Sequence, residues 1–118
     1  MDKKEFSTFD VAKILGIGRS RLVHWWRDGF IPRGKYVKWG RGYKTSFSLF
    51  DLYSIALFMI CMDFSLSRKF SKNAWKDIKW SKVGERDYLL LNISKSPITF
   101  EVDLKDLIRR TENCIKDA

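Results

Sequence analysis

The chain has 118 residues, of which 45% are hydrophobic, 31% charged and 15% aromatic, enough for one core of domain size and too apolar for a disordered tail. Its longest apolar run, 55–62, stops at eight residues, well short of the roughly 18 that span a bilayer. No apolar segment follows the charges of residues 1–6, and the solitary Cys61 and Cys114 form no metal or disulfide pattern; neither a secretion signal nor a structural zinc is expected, and a reducing cytoplasm is.

Ser7-Thr8-Phe9-Asp10 reads as a capping box, and Val11, Ala12, Ile14 and Leu15 continue it as a helical apolar stripe that Gly16 ends. At about eight residues this helix needs tertiary packing to persist. After the turn at 16–18, a second helix is predicted over 19–28, stopped by Gly29, with Leu22 and Trp25 on its buried face. Pro32 and Gly34 then break the chain. Residues 35–39 alternate polar and apolar, Gly40-Arg41-Gly42 reverses the chain, and 43–47 returns as the second strand of a basic-tipped hairpin.

Ser48-Leu49-Phe50-Asp51 is a second capping box, opening a helix to about residue 62. Leu66, Phe70, Ala74 and Ile78 recur every four residues and predict a fourth helix over 66–80, with Arg68, Lys69, Lys72, Lys76 and Lys79 on its exposed face. The β-rich runs 88–94 and 98–102 flank Lys95-Ser96-Pro97 and read as a hairpin. Asp103 can cap a last helix on which Leu104, Leu107, Ile108, Thr111 and Ile115 share one face. Cys61 and Cys114 are read as buried thiols. The expected class is α+β and mostly helical, with a linker near 82–86.

The net charge is +9, and it is unevenly spread. Residues 1–50 hold 11 basic and 4 acidic side chains, 51–82 hold 6 and 3, and 83–118 hold 6 and 7. Between Arg19 and Lys44 only Asp28 opposes eight basic residues. Such a block suits a polyanion; the alternative is a solvated basic face.

Two short helices, a Gly-rich basic hairpin and a longer helix follow the order of a winged helix-turn-helix. The residues that match, Val11-Ala12-Lys13-Ile14-Leu15-Gly16, Leu22-Val23-His24-Trp25, Gly29-Phe30-Ile31-Pro32, Gly40-Arg41-Gly42-Tyr43-Lys44 and Phe47-Ser48-Leu49-Phe50-Asp51-Leu52, resemble the MerR-type DNA-binding domain. Phe64-Ser65-Leu66 resembles the start of that family's fourth helix, so the likeness covers about residues 6–80. Val23 departs from the Arg, and His24 from the aromatic, that the family often carries at these places, and its long C-terminal coiled coil is not evident.

The resemblance implies a MerR-like domain over 1–82, followed by a ββα appendage over 83–118 that could serve dimerisation. The implied function is sequence-specific binding of double-stranded DNA by a homodimeric transcriptional regulator, cytoplasmic and nucleoid-associated. Rival readings are an excisionase-like or phage architectural DNA-bending protein, and a winged-helix protein-interaction adaptor. The candidate contacts are Arg19, Ser20, Arg21 and His24 on the recognition helix, whose first turn lies nearest the base edges in a major groove. On the wing they are Lys38, Arg41, Tyr43 and Lys44, which would position the chain on phosphates. Enzymatic readings lack an inventory: His24 is the single histidine, and no nucleotide fingerprint or paired acid and base stands out. No cofactor, metal, membrane or small-molecule effector is expected.

Overall fold

The computed structural model describes residues 5–64, 67–92 and 99–118, with the side chains of all but Tyr36, Val37, Trp39, Tyr43 and Asn92. Strand β1 (Glu5–Phe6) leads into α1 (Thr8–Leu15) and then α2 (Arg19–Arg27). The capping box forms as read: Ser7 Oγ accepts from the Asp10 amide at 3.1 Å, and the Ser7 amide donates to Asp10 Oδ2 at 3.0 Å. Gly16 ends α1 in the left-handed region at φ +66°, which glycine enters without a Cβ penalty.

The hairpin is β2 (Lys35–Trp39) against β3 (Gly42–Ser48), paired from Lys35 opposite Ser46 to Trp39 opposite Gly42. Strand β1 was not expected. It pairs Glu5 with Ser48 and Phe6 with Phe47, making a three-stranded antiparallel sheet in the order β1-β3-β2. Two residues carry no alternation to read; burial of Phe6 against Phe47 holds them. At Gly34, φ is +66° and a Cβ would lie 2.5 Å from the Ser46 carbonyl oxygen, so the chain passes β3 where only glycine fits.

Helix α3 (Leu49–Asp63) opens on the Ser48–Asp51 box and is buried on nearly every side. One flank, with Leu52, Ile55 and Phe58, meets Phe6, Val11, Ile17, Leu22, Trp25, Ile31 and Phe47. The other, with Tyr53, Leu57 and Cys61, meets Trp80, Leu91, Val102, Leu104, Leu107 and Ile108. Helix periodicity cannot orient such an element, because no polar face marks solvent.

The fourth helix is shorter than its four-residue repeat predicts. Helix α4 runs Arg68–Lys76, capped by Ser67 Oγ accepting from the Phe70 amide at 3.1 Å. Leu66 lies outside the described residues. Ile78 follows the helix, and Trp80–Lys82 is a separate 3-10 turn. Ala74 and Ile78 pack against the second core cluster as the repeat predicts, but Phe70 is exposed, while Ser71 is buried with its hydroxyl donating to the Ser67 carbonyl at 2.8 Å. Trp80 is anchored instead by its indole N–H donating to Ser54 Oγ at 2.9 Å.

Strands β4 (Tyr88–Asn92) and β5 (Thr99–Asp103) pair antiparallel, and α5 (Leu104–Asp117) follows, capped by Asp103. The hairpin's turn, expected at 95–97, lies outside the described residues. On α5, Leu104, Leu107, Ile108 and Thr111 are buried as the spacing predicts, and the half-buried Ile115 reaches the first core cluster. Leu91, Val102, Leu104, Leu107 and Ile108 are thus buried against Tyr53, Leu57 and Cys61 of α3, while Tyr88 and Leu90 are exposed. Tyr53 ties this packing down, its hydroxyl donating to Glu112 Oε1 at 3.0 Å. Cys114, read as buried, is exposed: it lies beside the apolar stripe of α5 rather than on it. The described residues form an α+β fold of five α-helices and two small antiparallel sheets. None of these helices is long and apolar enough to cross a membrane.

Burial raises two weak acids on α3. The Cys61 thiol is pushed up from 9.0 to about 11 despite its bond with Ser71, and burial with the Glu112 carboxylate raises Tyr53 as well. The folded state therefore holds these protons more tightly than the unfolded chain. That stability is complete well below pH 9, where the unfolded thiol is half ionised, and is lost as pH climbs towards the folded value. Urea midpoints should be level from pH 7 to 8.5 and fall between pH 9 and 10.5. Cys61→Ala should be less stable at neutral pH but lose less over that alkaline window.

Candidate nucleic-acid interface

Helix α2 is held from one side. Leu22 and Trp25 are buried, and Trp25 meets Phe58 of α3 edge-on at 4.8 Å between ring centroids, with the planes at 71°. Trp26 is half-buried, and its indole N–H donates to the Arg33 carbonyl at 2.7 Å, fixing the helix to the approach of β2. Gly29 turns the chain at φ +77°, and the Phe30 ring lies 6.3 Å from that of Phe58, nearly parallel. The outward side of α2 is left to solvent.

On that side Arg19, Ser20, Val23, His24 and Arg27 line one concave patch. Of the expected contacts, Arg19, Ser20 and His24 are therefore brought together. Arg21 is not: its guanidinium lies over the Trp25 ring, 4.8 Å from the centroid, on the flank of the helix. Cation–π attraction of this kind holds a charge against an aromatic face. Val23 and Arg27 were missed, although the helical repeat places 20, 23, 24 and 27 opposite Leu22 and Trp25.

No carboxylate occurs within α2. Asp28, just beyond it, is 3.1 Å from His24 Nε2. Arg19, Arg21 and Arg27 have no ion-pair partner among the described residues. The helix N-terminus adds to this field. Its N-cap, Gly18, offers no side-chain acceptor, whereas α1, α3, α4 and α5 are each capped by Ser or Asp. Uncapped amides and the guanidiniums of Arg19 and Arg21 make this end of α2 positive, and Arg27 carries charge at its other end.

The hairpin presents its charges differently. Lys38 stands opposite Tyr43 and Lys44 opposite Val37, so the register places Lys38 and Lys44 on opposite faces of the ribbon. Arg41 is exposed at the two-residue tip, beside Gly40 at φ +60°. The Tyr43 side chain lies outside the described ones. Helix α4 packs on the segment that follows α2: the Trp75 indole donates to the Phe30 carbonyl at 3.0 Å, and the Arg68 guanidinium is 5.8 Å from the Phe30 ring centroid. Arg68, Lys69, Lys76 and Lys79 are exposed there, and Lys72 is half-buried.

Comparison with protein-family models and with curated proteins finds no match.

Proposed function

We propose that the chain binds double-stranded DNA, with α1 and α2 as a helix-turn-helix, β2–β3 as a wing and the outward face of α2 in the major groove. The observation that carries this reading is the patch of Arg19, Ser20, Val23, His24 and Arg27, set on a helix whose opposite side is buried in the core. A helix fixed from behind presents a stable row of donors, and Arg can grip guanine O6 and N7 with both arms of its guanidinium. Exposed Arg41 at the hairpin tip and Lys44 on one face of the ribbon supply backbone contacts that set the register without reading sequence, while Lys38 lies on the other face. The element order also follows the resemblance to the MerR-type domain, so a transcriptional regulator working as a binding protein, not an enzyme, is the proposed role. A protein-docking adaptor would not need eight basic residues against one acid between Arg19 and Lys44.

The test is a gel shift with random duplex across a salt series. If one domain neutralises about 4 to 6 phosphates, log K falls against log salt with a slope of about −4 to −5. A slope near zero, or no shifted band at low salt, overturns the reading. Selection from a random duplex library then separates the roles: a palindromic consensus supports a homodimeric regulator, and direct repeats support an architectural protein.

A further inference from the structure

The patch on α2 is not polar throughout. At its middle sits Val23, with Ser20 one turn before it and Arg27 one turn after, and with Arg19 and His24 beside it. Val23 is only half-buried and belongs to neither core cluster, even among the partly buried side chains packed against them. The exposed part of its apolar surface therefore adds to neither core. Nor does it suit its position for helix formation, since a β-branched side chain is a weaker helix former than the long polar ones usual on a solvated face.

What a β-branched residue does offer is rigidity. In a helix valine has one strongly preferred rotamer, so its two methyl groups are held at a fixed place among the surrounding cations. In the major groove the bases present hydrogen-bond donors and acceptors, with one apolar feature among the four, the C5-methyl group of thymine.

Resting on the DNA-binding reading of α2, we propose that Val23 is a specificity residue that packs on a thymine methyl group, so that the bound site requires a thymine at the base pair facing the middle of α2. Arg19 and Arg27 hold the charged groups on either side. The contact removes apolar surface from water on both partners and involves no proton or charge.

Deoxyuridine tests this directly, because it keeps the thymine pairing and the O4 acceptor and lacks only the methyl group. The duplex recovered by selection is remade with each thymine replaced in turn by deoxyuridine, and binding to the full chain is measured. One replacement per half-site should weaken binding about fourfold, the worth of one buried methyl group. Val23→Ala should bind the thymine and deoxyuridine duplexes alike, with the salt slope unchanged. Alanine is the stronger helix former, so this variant should fold; circular dichroism checks it. Equal binding of all deoxyuridine duplexes by the unaltered chain, or a difference that survives Val23→Ala, overturns the thymine contact while leaving DNA binding intact. No binding to any duplex overturns the DNA-binding reading itself.

Discussion

Trp25→Ala should lower the unfolding free energy by about 3–5 kcal/mol, the range for emptying a large aromatic from a packed core. Trp25 is 3% exposed, meets Phe58 edge-on and sits in the cluster with Leu22, Ile31 and Ile55. Truncation removes the transfer energy of the indole and leaves a void that the surrounding rings fill only in part. It also removes the surface on which the Arg21 guanidinium rests. A domain of this size has about 5–15 kcal/mol in all, so the variant should be close to unfolded at 37 °C. Urea denaturation followed by far-UV circular dichroism reads the loss. A cost under about 1 kcal/mol would mean that α2 is not held against α3 as described.

Arg19→Ala and Arg27→Ala should each weaken binding to the selected duplex by about 1–3 kcal/mol and relax preference at particular base pairs. Both guanidiniums line the outward patch and lack an ion-pair partner among the described residues. Arg21→Ala should cost less than either, because its guanidinium lies on the flank over Trp25. Lys44→Ala should weaken all duplexes alike and reduce the salt slope by about one, as a backbone contact does. Affinities measured on the selected site and on scrambled duplex separate the two classes. Uniform losses for all four variants would remove base reading from α2.

The different settings of Arg21 and Arg27 mark a limit of sequence reasoning. The helical repeat alone puts Arg27 in line with Ser20 and opposite Leu22; the position of Arg21 depends on a ring that its own helix turns towards the core. The hairpin shows a similar limit. Its strands and tip were legible from alternation and from Gly40 and Gly42, but Lys38 and Lys44 fall on opposite faces through a register that one residue of slip would reverse.

The features determined by sequence alone are those whose physics acts over three or four residues. Ser7 with Asp10 and Ser48 with Asp51 close reciprocal hydrogen bonds that start α1 and α3 in place. Gly16 stops α1, and the spacing of Leu104, Leu107, Ile108 and Thr111 sets the buried side of α5. Only tertiary structure decided the rest. Strand β1 exists because Phe6 finds Phe47, some forty residues away. Helix α4 ends at Lys76 because the chain turns there to bring Trp80 to Ser54, so an apolar repeat that continued to Ile78 did not continue the helix. The face of α3 that meets α5, and the face of α2 left to solvent, follow from which side chains are buried together. Local bonds can start and stop an element, but burial depends on surfaces contributed by distant parts of the chain.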